Sequence, residues 1–134
     1  MSTIIADNLT GKTSAGSVTV TSEGGSATQS LQQGLVKMWC LVDGGGTPVI
    51  ADSLNVASLT DNAAGQVHHN FTNNMSNANF SLTTTASEDN FNANAMEIGT
   101  VRTSSISDVW LSRADTGANT DTDGHNAQIT GDLA

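Results

Sequence analysis

Two adjacent histidines are the first residues of this chain that could bind a metal ion or move a proton. His68 and His69 lie in the segment Gln66 to Thr72, whose alternating apolar residues predict a strand. Neighbouring side chains of a strand point to opposite faces, so the two rings cannot chelate one ion within a single chain. A threefold axis could bring three copies of one histidine together, but a packed or solvated histidine is the simpler interpretation. His125 follows an acidic loop and is expected to face solvent.

The acidic loop near the carboxyl end contains half of a calcium-binding pattern. The stretch Asn119 to Gly124 places oxygen-bearing side chains at alternate positions and a glycine sixth. Thr130 stands at the twelfth position, where the pattern needs a glutamate to close the coordination sphere. Asp-rich turns also form because Asp and Asn bond to their own backbone. We therefore expect no metal and no other cofactor, and Asp121 and Asp123 are the candidates should an ion bind.

The remaining chemical motifs do not predict catalysis. Gly11-Lys12-Thr13 matches only the end of a phosphate-binding loop, because Ala6 stands where that loop needs its first glycine. The carboxylates of Glu88, Asp89 and Glu97 resemble an acid and base pair for glycoside hydrolysis, but the sequence does not fix their separation. The sequence therefore assigns no catalytic residue, and we expect the chain not to be an enzyme. A small hydrolase using Glu88 or Glu97 is the enzymatic alternative, and it would need a cleft.

Composition narrows the class of protein. The chain has 134 residues, with 4 Lys+Arg against 13 Asp+Glu, and only 13% of its residues are charged. Its many Ser, Thr, Asn and Gly residues disfavour long helices and favour β structure. Four scattered cations are too few to bind nucleic acid, and no apolar run approaches the ~18 residues of a membrane span. One cysteine, Cys40, cannot form an internal disulfide, and burial in an apolar strand would raise its pKa.

The amino terminus lacks the basic region and apolar run of a signal peptide, which predicts a soluble acidic protein assembled inside a cell.

Residues 1–33 are predicted to form an arm that cannot fold alone, because it has few large apolar side chains. Ile4, Ile5 and Leu9 form its apolar cluster and are predicted to dock on a partner. A short helix is expected between Ala27 and Gln33, ended by Gly34.

Residues 34–134 show strand patterns and turn signals every 8–12 residues, which predicts an all-β antiparallel β-sandwich, jelly-roll-like. The predicted strands are Leu35 to Val42, Thr47 to Ala51, Ser53 to Leu59, Gln66 to Thr72, Ala78 to Thr83, Ala95 to Arg102, Ile106 to Ser112 and Asn126 to Leu133. Leu54 and Val56 are expected on one face. The residues predicted to form the core or an oligomer contact are Leu35, Trp39, Leu41, Val67, Phe71, Phe80 and Trp110.

Several stretches resemble small virion proteins and tail-fibre-like modules of bacteriophages, particularly phages of marine bacteria. The similar stretches are Met1 to Leu9 with Gly11-Lys12-Thr13, Leu31 to Trp39 with Asp43-Gly44, Asp52 to Val56, Thr60 to Asn62, Phe71 to Met75, and Gly131 to Ala134. The chain differs from such modules at His68 and His69. At this place the modules usually have a strand of apolar or Thr and Tyr residues. Residues Ser87 to Asn94 have no counterpart.

The resemblance implies a non-enzymatic structural protein of the virion, with an arm that attaches to the particle and a β domain that projects, commonly as a homotrimer. Its partners would be other virion proteins of the tail or capsid. A host-surface glycan could be touched by the loops Asp43 to Thr47, Ser87 to Asn94 and Asp115 to His125. Head decoration is an alternative to a tail fibre. A carbohydrate-binding module with Trp39 or Trp110 as its platform is the alternative from another class.

Overall fold

The computed structural model of the chain describes residues 3–14, 16–87, 93–96 and 102–134. Regular structure in these ranges is almost entirely β, as the small polar residues predict. The strands are β1 Thr19–Thr21, β2 Thr28–Ser30, β3 Val36–Asp43, β4 Val49–Leu54, β5 Val56–Ala63, β6 Gln66–Phe71, β7 Ser81–Ser87, β8 Ala93–Met96, β9 Ile106–Arg113 and β10 Gly124–Thr130. A short helix, α1, spans Leu31–Gly34. None of the helices in the described ranges has the length and apolarity needed to cross a bilayer.

The strands after α1 form two four-stranded sheets. Sheet I has the order β4-β3-β10-β7, and sheet II has the order β5-β6-β9-β8. Every strand pair in both sheets is antiparallel. Buried side chains from the facing sides of both sheets form one hydrophobic core, which confirms the predicted all-β antiparallel sandwich.

The core follows the two-residue period of the strands. Met38, Cys40 and Val42 alternate inward along β3, while Val109 and Leu111 do so along β9. The core also contains Phe71 and Phe80, whose rings meet edge to face with centroids 5.8 Å apart. Burying a side chain of this size contributes about 1.5–3 kcal/mol, so these residues account for much of the stability of the sandwich.

The chain passes from sheet I to sheet II at Asn55, which was expected to lie inside one continuous strand. Asn55 has a φ of 62°, a left-handed conformation that Asn tolerates better than most residues. Its Oδ1 accepts a hydrogen bond of 2.7 Å from the backbone N–H of Asn73. The expectation that Leu54 and Val56 share a face is therefore wrong, because Leu54 is 46% exposed while Val56 packs against the core.

Residues Met1–Leu35 and Val36–Ala134 form two separate compact units. In the first unit, β1 pairs with β2, and Ser30 Oγ caps α1 by accepting from the N–H of Gln33 at 3.4 Å. The helix therefore begins later than Ala27, because residues 28–30 pair with β1. None of the described residues of this unit is buried. An isolated two-stranded hairpin is only marginally stable in water, and the described part of this unit has no core to support it.

Candidate functional site

The core contains two histidines that connect the sheets. His69 on β6 and His125 on β10 are 0% and 2% exposed, and their Nε2 atoms lie 3.1 Å apart. One ring must donate its N–H and the other must accept, so the hydrogen bond requires at least one neutral ring. Val67, His69 and Phe71 alternate along β6 and share its inner face. The expectation that His125 faces solvent is wrong, because β10 already begins at Gly124 and turns this ring inward.

Both rings are neutral at physiological pH. Burial and, to a smaller extent, repulsion by the His125 ring together lower the pKa of His69 to about 3. Burial alone lowers the pKa of His125 to about 4. Within the described ranges, no group of three His, Cys, Asp or Glu side chains is placed to hold a metal ion. The hydrogen bond between the two rings links β6 of sheet II to β10 of sheet I.

A second polar cluster lies on the outer face of sheet II around Asp108, whose side chain is fully buried. Its carboxylate accepts hydrogen bonds from Trp110 Nε1 at 2.8 Å and from Gln66 Nε2 at 3.2 Å. His68 Nε2 lies 3.4 Å from Oδ1. The strand register places these groups together, because His68 is opposite Asp108 and Gln66 is opposite Trp110. The donors satisfy the oxygens of the buried Asp108 side chain, and the cluster joins β6 to β9.

The acidic loop lies at the end of the sandwich where Asp43, Gly124 and Ser87 meet in register. The predicted host-contacting loops that begin at Asp43, at Ser87 and at Asp115 therefore reach the same end of sheet I, although residues 88–92 lie outside the described ranges. Asp121 Oδ1 accepts a hydrogen bond of 2.8 Å from the N–H of Gly65. The Asp123 carbonyl accepts one of 2.8 Å from Gly44. The carboxylate of Asp121 is therefore bonded to the turn between β5 and β6, whereas the bond at Asp123 involves its main-chain carbonyl.

The outer face of sheet I has two parts with different chemistry. The first is a shallow groove of about 370 Å³, here called the polar groove, whose outward side chains are Trp39, Thr83, Thr85, Asn126 and Gln128. The second is an exposed group on β3 and the edge strand β4, here called the apolar edge, which consists of Leu41, Val49 and Leu54. Their exposed fractions are 44%, 60% and 46%.

The residues predicted for the core or an oligomer contact fall into two groups. Val67, Phe71 and Phe80 are buried. Trp39 and Trp110 are half-buried on the outer faces of the sheets, while Leu35 and Leu41 are 54% and 44% exposed, so these four do not belong to the core. An oligomer contact remains a prediction for them. The segment Leu35 to Val42 has apolar residues on both faces of the strand. Its sequence pattern therefore does not show which face points towards the core.

Of the other residues with chemically reactive groups, Cys40 and Lys12 lie in the described ranges. Burial raises the pKa of the Cys40 thiol to about 11, as expected, so almost no thiolate exists at neutral pH. Lys12 is exposed in irregular backbone, with no strand before it in residues 3–11. Glu88, Asp89 and Glu97 lie outside the described residues.

Comparisons of the chain with protein-family models, with curated proteins and with solved structures give no match. The structure therefore identifies the fold class of the chain. It is an all-β antiparallel sandwich, preceded in the sequence by a small separate unit.

Proposed function

We propose that this chain is a structural protein of a bacteriophage virion, a small tail-fibre-like protein whose first unit docks on other particle proteins and whose sandwich projects from the surface. The observation that supports it is the exposure of Ile4, Ile5 and Leu9, at 87%, 91% and 60%. The same unit buries none of its described residues. Covering a side chain of this size is worth about 1.5–3 kcal/mol, so a partner surface would order this segment.

The proposal includes a homotrimer held by the sandwich. Part of the apolar edge lies on β4, which is an edge strand among the described residues. Val49 and Leu54 are exposed there, and the exposed Asp52 lies between them in register with Leu41. A second copy of this chain is the occupant we propose, because soluble oligomers are mostly symmetric assemblies of one chain. Contact with the neighbouring copy would cover both the apolar side chains and the strand edge.

The docking role is tested in particles of the phage that encodes the chain. We expect mass spectrometry of purified particles to detect the wild-type chain and to show loss of the full-length Ile4→Asp/Ile5→Asp variant. Thr3→Asp/Thr10→Asp is the matched control, because it adds the same charge at exposed positions without removing an apolar side chain. Absence of the wild-type chain from particles would contradict the proposal, as would normal incorporation of the Ile4 and Ile5 variant.

Head decoration is the alternative position within the particle, and immunogold labelling of intact particles separates it from a tail fibre.

A free carbohydrate-binding module is the second candidate function. The outward, half-buried position of Trp39 beside the polar groove favours it. Such a module would bind saccharide as a monomer and would be absent from particles.

A further inference from the structure

The polar groove is shallow but has the volume of a small-molecule subsite. Strand β10 forms its floor, because β10 lies between β3 and β7 in sheet I. Trp39 stands on one side of Gln128 and Thr83 on the other, since Gln128 is in register with both. The volume of about 370 Å³ falls within the range of about 300–1,000 Å³ that ligand sites occupy.

The lining chemistry is aromatic and uncharged. Asn126 and Gln128 each carry an amide that both donates and accepts, and Thr83 and Thr85 add hydroxyl groups. Asn126 Nδ2 donates to Thr85 Oγ1 at 3.4 Å, whereas the side chains of Gln128 and Thr83 make no hydrogen bond to the described part of the chain. Their polar groups therefore remain available to a ligand.

These properties match a neutral sugar ring better than a charged ligand. A pyranose has an apolar C–H face that stacks on an aromatic ring, and a rim of hydroxyl groups that pair with amides and hydroxyls. The groove is lined by no Lys or Arg, and the chain has a net charge of -9. An anionic saccharide would therefore be repelled, and a cation would find no carboxylate in the lining.

We propose that the polar groove binds a neutral saccharide, with one sugar ring stacked on Trp39 and its hydroxyl groups bonded to Gln128, Asn126 and Thr83. The inference rests on the proposed function, since a projecting sandwich would present this groove to the glycans of a host surface. For a virion protein the sequence suggested host contact by the loops, and it considered Trp39 only as the platform of a free carbohydrate-binding module. The inference places the contact of the virion protein on the sheet face beside Trp39.

The test is affinity electrophoresis of the full chain through gels containing laminarin, galactan or galactomannan, with alginate as the anionic comparison. We expect at least one neutral polysaccharide to retard the wild-type chain and alginate to leave it unretarded. Trp39→Ala should weaken binding about 3- to 10-fold, and Trp39→Phe should remain within about twofold because a ring is retained. Gln128→Ala should also weaken binding. Asn62→Ala is the matched control, since Asn62 is exposed on β5 of sheet II and lies outside both the groove and the apolar edge.

Circular dichroism and thermal melting of each variant exclude loss of the fold as the cause. Failure of all three neutral polysaccharides to retard the wild-type chain would overturn the inference, as would undiminished binding by Trp39→Ala or a preference for alginate. A chain that enters particles but binds no saccharide overturns this inference alone. A chain that binds saccharide through Trp39 but is absent from particles contradicts the virion proposal and leaves the groove assignment standing.

Discussion

The burial of His69 and His125 makes the stability of the sandwich depend on pH. Burial holds the pKa of these rings at about 3 and about 4, below the ordinary value of 6.5. In the unfolded chain both rings take up protons near that ordinary value, so below it the unfolded state binds more protons than the folded state. The stabilisation is therefore complete above about pH 6.5 and is lost progressively as the pH falls towards 4.

We predict that the free energy of unfolding decreases between about pH 6.5 and pH 5, by up to about 1.4 kcal/mol per pH unit for each of these histidines. Urea denaturation followed by circular dichroism measures the change. His68→Gln is the control, because His68 lies on the outer face of sheet II and its loss should leave the decline in place. A free energy of unfolding that stays constant over this pH range would contradict the account.

Asp108 provides a second prediction for a single residue. Asp108→Ala leaves the N–H groups of Trp110 and Gln66 without their acceptor, and a buried donor without a partner costs about 1–3 kcal/mol. We expect a decrease in the free energy of unfolding of about 2–4 kcal/mol by urea denaturation. The exposed Asp61→Ala should change it by less than about 0.5 kcal/mol. Equal effects of the two substitutions would show that the Asp108 cluster does not stabilise the sheet.

At the scale of elements, the hairpin between β5 and β6 joins the edge of sheet II to the acidic loop. Gly65 has a φ of 71°, its carbonyl accepts from the N–H of Leu111 at 2.6 Å, and its N–H donates to Asp121. A Cβ at this position would clash with the carbonyl of Leu111 and lie 2.7 Å from the nitrogen of Thr120. Both the backbone conformation and the close contacts therefore require glycine.

Gly117 allows the cost of the left-handed conformation to be measured without the cost of close contacts. Its φ of 70° is nearly the same as that of Gly65, but no atom lies close to the position of an added Cβ. We predict that Gly117→Ala lowers the free energy of unfolding by about 1–2 kcal/mol, the cost of the left-handed conformation alone. Gly65→Ala should cost at least about 3 kcal/mol, since the clash with fixed backbone adds to that strain. Urea denaturation of the two variants side by side is the measurement. Equal losses would mean that the contacts around Gly65 relax freely.

The sequence predicts the existence and approximate position of most strands, because alternating apolar residues and turn signals are local features. It does not predict where the chain changes sheet, since this depends on one left-handed residue, Asn55. It also misses the buried positions of His125 and Asp108. Both are compensated by partners far away in sequence, His69 in one case and Gln66 in the other, and a local pattern contains no information about such pairs.

At the scale of the whole molecule, the two parts of the outer face of sheet I would serve different contacts. The apolar edge on β3 and β4 would pack against a neighbouring copy, while the polar groove over β10 lies on the other side of Trp39. The groove could therefore stay open in a trimer. Two further carboxylates in the apolar edge, where Asp52 is already in register with Leu41, should prevent assembly, because like charges would be buried together without a partner.

The most direct test of the proposed assembly is the molar mass of the purified full-length chain, measured by light scattering at several concentrations. We predict a mass three times that of the 13.7 kDa chain for the wild type and for Thr83→Glu, which adds a charge outside the apolar edge. Leu41→Glu/Leu54→Glu should fall to the mass of one chain while keeping its circular dichroism spectrum. A wild-type chain that is a monomer at every concentration would contradict the trimeric account.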